Sequence, residues 1–400
     1  MSWTFRLADR RVFLLESRLE RESRPISEAD EKQFRDWAER YERAVRANGF
    51  DALFAIGREI SGSLGLEWME KITGGMGPVC LDIETEAVLP APARAFLDVP
   101  WELMTDARGF LALDAARPFC VQRRLGRQAT PVAAKHKDLF LMFMAASPRD
   151  VKPVLNYEAE EARILSATEG LPLALTVEES GCLTFLRNRL SAEGPFEVVH
   201  LTCHGTIEKD GPKLMLESPE GDLALASAEA LVSAFGQDKP GLMVLSACRT
   251  AEHGAQSASL AVSILRSGVP AVLGWDGSVY DVDANIFAGK FYDELARYQT
   301  PAFAAAKARQ HLLKTHLDDP TQKPAATGTS PGFTSMPRAA RRSAGATAYP
   351  ARTIAVRPIA PFWTRSAAAC RSPGRWLLSA GGARRRTFCE PSASVGIRAC

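Results

Sequence analysis

Two short stretches hold the residues with the most specific chemistry. Positions 196–205 read FEVVHLTCHG and positions 241–250 read GLMVLSACRT. Each is an apolar run of strand length that ends abruptly in small and reactive residues. The first ends in His204-Gly205, the second in Cys248 just after Ser246-Ala247. A thiol near its free pKa of about 8.5 is mostly protonated at neutral pH, so it needs a base or a positive neighbour to become a nucleophile. A histidine on the same sheet edge supplies that base. A Cys/His pair adjacent in space but not in sequence is the usual arrangement for a cysteine nucleophile. Gly205 removes a side chain where a substrate backbone would approach.

Two other histidines compete with His204. His200 lies inside its strand, four residues upstream and on the same side, but deeper. A buried, hydrogen-bonded histidine suits it better than a base. His253, five residues past Cys248, is a loop residue; two ligands are too few for a metal site. No Asp is evident as a third catalytic member. The eight cysteines show no CxxC pair or metal-like spacing, and a Cys/His nucleophile requires neither a metal nor an organic cofactor.

The elements that must position the pair are parallel strands. Continuous apolar runs set among helical segments read as buried parallel strands. In an open parallel sheet, ligands bind at the carboxyl ends of the strands. LFLMFMAA (139–146) is a first such strand, followed by a helix over 156–169, a strand at 173–177 and a helix over 183–190. Next comes the histidine strand. Asp210-Gly211 and Glu220-Gly221 then mark a hairpin excursion. Ser227 caps a helix before the cysteine strand, and a helix over 301–316 closes the domain. This alternation implies helices on both faces of the sheet.

Upstream, 2–19 read as two short strands with a turn near Ala8-Asp9. Ser27 is an N-cap candidate with Glu28 and Asp30 in the first turn. Phe34, Trp37, Tyr41 and Val45 recur at helical steps, a core-facing stripe. A second helix spans about 52–66. Gly74-Gly75-Met76-Gly77 lacks the Lys-Ser/Thr and helix of a phosphate loop and reads as a turn. Trp101 reads as a core anchor. Glu102 reads as a carboxylate paired with a buried arginine or a backbone group. Arg123-Arg124, at the end of a strand over 119–125, read as solvated.

Taken together, His204-Gly205 after one apolar strand and Ser246-Ala247-Cys248-Arg249-Thr250 after another resemble the CHAT family of caspase-like cysteine peptidases, whose clan also holds caspases, separase and the gingipains. The similarity extends upstream to VPWELM (99–104) with Gly109-Phe110-Leu111-Ala112. Downstream it takes in AVLG (271–274) and FAGKFYDELA (287–296), so it covers about 100–316. It implies an α/β caspase-like three-layer sandwich with a mainly parallel sheet, preceded by a small α+β region. It implies Cys248 as nucleophile and His204 as base, oriented largely by backbone. The backbone amides of Gly205 and Cys248 would form the oxyanion hole. Asp281 or Asp283 would cap the following helix or wall the pocket for the residue before the cut bond, where a carboxylate selects Arg or Lys. Trp275 is a third pocket candidate, more polar company than the family norm. Such domains are often dormant until a partner rearranges the loops, and are often joined to helical repeats or signalling ATPases.

Charge divides the chain. From Pro320 to Cys400 there are thirteen Lys and Arg against one acid, Glu390, leaving 36 basic and 46 acidic residues in 1–319. The tail is rich in Ala, Arg, Pro, Ser and Thr without periodicity, a disordered composition and also the alphabet of a GC-rich gene read out of frame. Three parts follow: 1–130, an α+β region carrying the PWEL motif; 131–319, the peptidase domain; 320–400, a basic low-complexity tail. No stretch approaches the roughly 18 apolar residues of a membrane helix, and the first residues lack a signal-peptide pattern, so a cytoplasmic chain is expected. The expected function is a caspase-like cysteine endopeptidase acting on protein substrates in a regulated stress, defence or signalling pathway, with an activating protein partner or a missing C-terminal module. The alternative is a dormant scaffold of the same fold. Nucleic-acid binding would rest on the tail alone, and the acidic body argues against it.

Overall fold

β-branched and aromatic residues alternating with polar ones open the chain, and they pair as expected of such a pattern. In a computed structural model, which describes residues 2–46, 50–87, 89–126, 138–247, 260–275, 281–318 and 351–356, β1 (Ser2–Ala8) and β2 (Arg11–Glu16) form a hairpin through Asp9 and Arg10, both at positive φ. A third strand absent from the sequence reading, β3 (Leu19–Pro25), extends it. Helix α1 (Glu28–Arg46) starts on the expected cap: Asp30 N donates to Ser27 Oγ at 3.2 Å and Ser27 N to Asp30 Oδ2 at 2.7 Å, a reciprocal box. Its stripe of Phe34, Trp37, Tyr41 and Val45 is buried. The next helical stretch is two helices, α2 (Phe50–Leu64) and α3 (Leu66–Thr73), parted at Gly65, whose φ is +80°.

β4 (Val79–Thr85) and α4 (Ala91–Asp98) follow, then a 3-10 turn at Trp101–Leu103, the short ladder of β5 (Thr105–Asp106) and β6 (Gly109–Phe110), a second turn at Leu111–Leu113, and β7 (Phe119–Leu125). Trp101 is a core anchor: its indole nitrogen donates to Phe96 O at 3.0 Å and its ring lies 5.3 Å from both Phe5 and Phe96. Glu102 pairs with a buried arginine, Arg123, at 2.5 and 2.9 Å. Arg123 and Arg124 are thus not solvated. They are 2 % and 1 % exposed, because β7 lies inside a sheet whose faces are both covered.

The rest of the chain alternates as expected: β8 (Leu139–Ala145), α5 (Tyr157–Ala167), β9 (Leu173–Glu178), α6 (Leu183–Glu193), β10 (Val198–Thr202), then β11 (His204–Glu208), β12 (Gly211–Glu217) and β13 (Leu223–Ala226), then α7 (Ala228–Ala234), β14 (Leu242–Ser246), α8 (Leu260–Arg266), β15 (Ala271–Trp275), α9 (Asp281–Ala296), α10 (Pro301–Asp318) and β16 (Ala351–Val356). The excursion after His204 is a three-stranded antiparallel sheet, β11-β12-β13. Ser227 caps α7 by accepting from Ala230 N.

Five parallel strands lie in the order β9-β8-β10-β14-β15. Numbered by chain order this is 2-1-3-4-5, whose reversal lies between β8 and β10. Period-two alternation sends side chains to two layers. Leu141, Phe143, Val198, Val244 and Leu273 meet Ile164, Phe287, Phe291 and Tyr292 of α5 and α9. Met142, Val199, Leu201, Leu245 and Val272 meet Leu186, Leu231 and Ile264 of α6, α7 and α8. The result is an α/β sandwich of three layers.

β16 joins this sheet to the N-terminal strands. The full order is β3-β2-β1-β4-β7-β16-β15-β14-β10-β8-β9, with β16 antiparallel to β15 and parallel to β7. Composition assigns no structure to 320–400, yet ARTIAV at 351–356 is a strand within the sheet. A six-residue strand is too short to change the average of a long basic window. The strands of 1–130, of 131–319 and of 351–356 therefore lie in one sheet. Among the described residues no helix is long and apolar enough to cross a membrane.

Candidate active site

The reversal of strand order between β8 and β10 opens a crevice at the carboxyl ends of the strands, the place where such sheets bind ligands. A cleft of about 350 Å³, counting its solvent-open space, lies there. Its described walls come from the segment entering α5 (Leu155, Asn156, Tyr157, Glu160), from the end of β10 (Thr202, Cys203, His204), from Ser246 of β14 and from the start of α9 (Asp281, Ala284, Asn285). The only acids among these are Glu160 and Asp281, and there is no Lys or Arg.

His204 is part-exposed at the cleft. Its Nε2 lies 2.7 Å from Pro153 O. A carbonyl only accepts, so Nε2 carries the proton and Nδ1 is left as the basic nitrogen. Gly205 follows as the second residue of β11, opposite Leu214. Cys248, its amide and His253 lie outside the described residues. The neighbouring strand ends are described: Thr202 and Ser246 are register partners at the same edge of the sheet, and His204 and Cys248 each follow one of them by two positions in the sequence.

Beneath the cleft is a polar cluster that the sequence reading did not assemble. His200 is fully buried. Its Nδ1 lies 2.9 Å from Tyr292 Oη, and its Nε2 lies 3.1 Å from Thr202 Oγ1 and 3.3 Å from Glu160 Oε1. The buried-histidine reading of His200 therefore holds. Glu160, on α5, accepts from Thr202 Oγ1 at 2.7 Å through Oε2 and from Ser246 Oγ at 2.8 Å through Oε1. Burial opposes the Glu160 charge, but His200 and the two hydroxyls outweigh it and hold the carboxyl below the usual range. Burial and the Glu160 charge push the Tyr292 phenol well above its ordinary value. The phenol therefore stays protonated, 2.9 Å from His200 Nδ1. The signal in the sequence was faint: Glu160 falls one helical turn before buried Ile164, an acid on an apolar stripe.

The three pocket candidates separate. Asp281 and Asp283 both stand in the first turn of α9, where a carboxylate complements the helix dipole. Asp281 lines the cleft, and its Oδ2 accepts from Asn156 N at 3.1 Å. Asp283 is 6 % exposed and is not among the cleft residues. Trp275 is buried as well, 5.0 Å from Phe287 in an edge-on contact. It borders an inner space shared with His200, Glu160 and Tyr292, not the cleft. The parity of β15 explains this: Trp275 points with Ala271 and Leu273 into the α5/α9 layer. Among the described residues no three His, Cys, Asp or Glu side chains form a metal-holding group.

No curated protein sequence matches this chain. Solved structures share parts of it. One is separase in the Saccharomyces cerevisiae separase–securin complex, at 15 % identity and a TM-score of 0.37, over 58 % of this chain. This chain spans only 14 % of that separase. Another is the Arg-specific cysteine proteinase gingipain R, at 8 % identity and a TM-score of 0.43, over 76 % of this chain and 67 % of that one. A third is the Drosophila initiator caspase Dronc, at 11 % identity and a TM-score of 0.25, over 43 % and 76 %. The CHAT domain profile matches residues 81–372, from within β4 through β16, which takes in both strands that lead to His204 and Cys248, and α5 with Glu160. By that match, over most of its length, the chain belongs to the CHAT domain family.

Proposed function

We propose that this chain is a cysteine endopeptidase in which Cys248 attacks the scissile carbonyl and His204 Nδ1 takes the thiol proton, later returning it to the leaving amine. The observation that carries the reading is the His204–Pro153 bond. A backbone carbonyl fixes the imidazole tautomer, as an Asp would in a triad, and leaves a basic nitrogen at a cleft on the edge where the cysteine strand ends. The amides of Gly205 and Cys248 are assigned to the oxyanion hole, where two fixed donors meet charge as it develops.

The cleft also supports a substrate class. Asp281 is its accessible carboxylate, so a protein substrate with Arg or Lys before the cut bond fits best. Asp283 and Trp275 are assigned supporting roles behind this wall, in the packing of α9. A regulated stress, defence or signalling setting, an activating protein partner and a cytoplasmic compartment belong to the same reading. None of Cys80, Cys120, Cys182 and Cys203 is joined in a disulfide, as suits a reducing compartment.

The test is labelling of the full chain by peptidyl electrophiles bearing Arg, Lys, Asp or Leu at the cut position. The expected result is adduct on Cys248 with the Arg or Lys probe, none in Cys248→Ala and a much slower rate in His204→Ala. Asp281→Asn should slow the Arg probe by roughly 10- to 100-fold, the worth of a charged hydrogen bond, and leave the Leu probe unchanged. A folded chain that no probe labels, with or without cell extract as a source of activator, would return the domain to a scaffold role.

A further inference from the structure

We propose that Glu160 is the positioning residue of the catalytic pair: its one buried carboxylate fastens the last residue of the histidine strand and the last residue of the cysteine strand to α5 and to each other. The catalytic consequence rests on the peptidase reading above. The mechanical consequence does not.

The geometry is specific. Oε2 takes the Thr202 hydroxyl at 2.7 Å and Oε1 takes the Ser246 hydroxyl at 2.8 Å. Thr202 and Ser246 are register partners, and the reactive residues follow each of them at the same interval, two positions on. His200 holds the carboxylate from the third side and is itself held by Tyr292 on α9.

The tie sits where the sheet stops holding the two strands together. The next backbone bond between them, Cys203 N to Ser246 O, is long at 3.3 Å, against about 2.9–3.0 Å for an ordinary one. Beyond it β11 turns away into the separate sheet with β12 and β13. Two residues of extended chain span about 6–7 Å, so a small rotation at either strand end becomes a displacement of the reacting atoms. A misplacement near 1 Å costs about 100-fold in rate. A charged acceptor shared by both ends removes that freedom.

The experiment compares Glu160→Gln, Thr202→Val, Thr202→Ser and Ser246→Ala in the full chain, by hydrogen exchange and by the Cys248 labelling rate. Glu160→Gln is expected to speed exchange several-fold in the peptides over 202–206 and 246–250 together, with β1 and β4 unchanged. Thr202→Val, of nearly the same shape, should loosen the 246–250 peptide on the other strand. Thr202→Ser, which keeps the hydroxyl, should not. In a Glu160→Gln background Thr202→Val should add nothing. Labelling in Glu160→Gln should slow by roughly 10- to 100-fold at saturating probe with unchanged half-saturation. Exchange that rises throughout the chain alike, or stays at wild-type rates in both peptides, overturns the proposal. Wild-type chain that does not label overturns the peptidase reading alone, since the exchange arm still decides the tie. If Glu160→Gln does not fold, Thr202→Val against Thr202→Ser carries the test.

Discussion

Two buried carboxylates in this chain carry their charge at opposite cost, and the difference lies in their donors. Glu160 has two hydroxyls and an imidazole around it, and these hold its carboxyl down against burial. Asp82 on β4 has Arg124 at 2.9 Å, but burial outweighs it and neighbouring Glu84 adds repulsion, so its carboxyl is pushed up to about 6. The signs follow from linkage. A depressed carboxyl contributes stability above its unfolded pKa of about 4.3 and loses it as pH falls through the folded value. A raised one contributes most below about pH 4 and loses it as pH rises through its folded pKa of about 6. Urea unfolding across pH 3–7 should show both. The advantage of wild type over Glu160→Gln should shrink below about pH 4.3. Relative to Asp82→Asn, wild type should lose about 3 kcal/mol between pH 4 and 6. Equal slopes in all three proteins would refute the assignment.

Among elements, β7 and the segment from α4 to the 3-10 turn are joined by one side chain. Arg123 donates to Leu97 O at 2.7 Å, to Val99 O at 2.9 Å and to both Glu102 oxygens. The PWEL motif is thus a structural clasp: Trp101 fills the aromatic core and Glu102 neutralises a guanidinium with no access to water. Removing one partner of a buried pair leaves an uncompensated charge. Glu102→Ala is therefore expected to destabilise by about 3–5 kcal/mol in chemical denaturation. Glu102→Gln, which keeps an acceptor, should cost less. A change within a few tenths of a kcal/mol for Glu102→Ala would mean that water reaches Arg123.

For the whole molecule, β16 decides whether there is one sheet or two. It lies between β7 and β15, so cutting the chain at 319 exposes two strand edges in the middle of a sheet. Exposed edges pair with other chains. A chain of residues 1–319 is expected to melt at a lower temperature and to self-associate, and one of residues 1–364 to melt with the full chain. Equal melting of all three would show that ARTIAV contributes nothing, as an out-of-frame tail requires. The acidic body and the basic stretch after 320 also bear on each other here: composition sees two charge classes, whereas the strand order carries the sheet across the charge boundary.

Much of this was legible in the residues themselves, because its physics is local. Continuous apolar runs marked β8, β10 and β14, strand-like segments marked β1, β2 and β7, the 3.6-residue period marked α1, and Ser27 and Ser227 announced their caps. His204 and Cys248 stood out because each ends an apolar run with residues a strand does not need. Other features depended on residues far apart in the chain. Glu160 and Ser246 are 86 positions apart, and Glu160 becomes a tie only once α5 lies across the ends of β10 and β14. Arg123 and Arg124 look solvated until helices cover both faces of their strand. Asp281 and Asp283 are chemically alike, and only the turn of α9 puts one in the cleft and the other in the core. Local propensity sets what each segment is; burial and hydrogen bonding between distant segments set what its side chains meet.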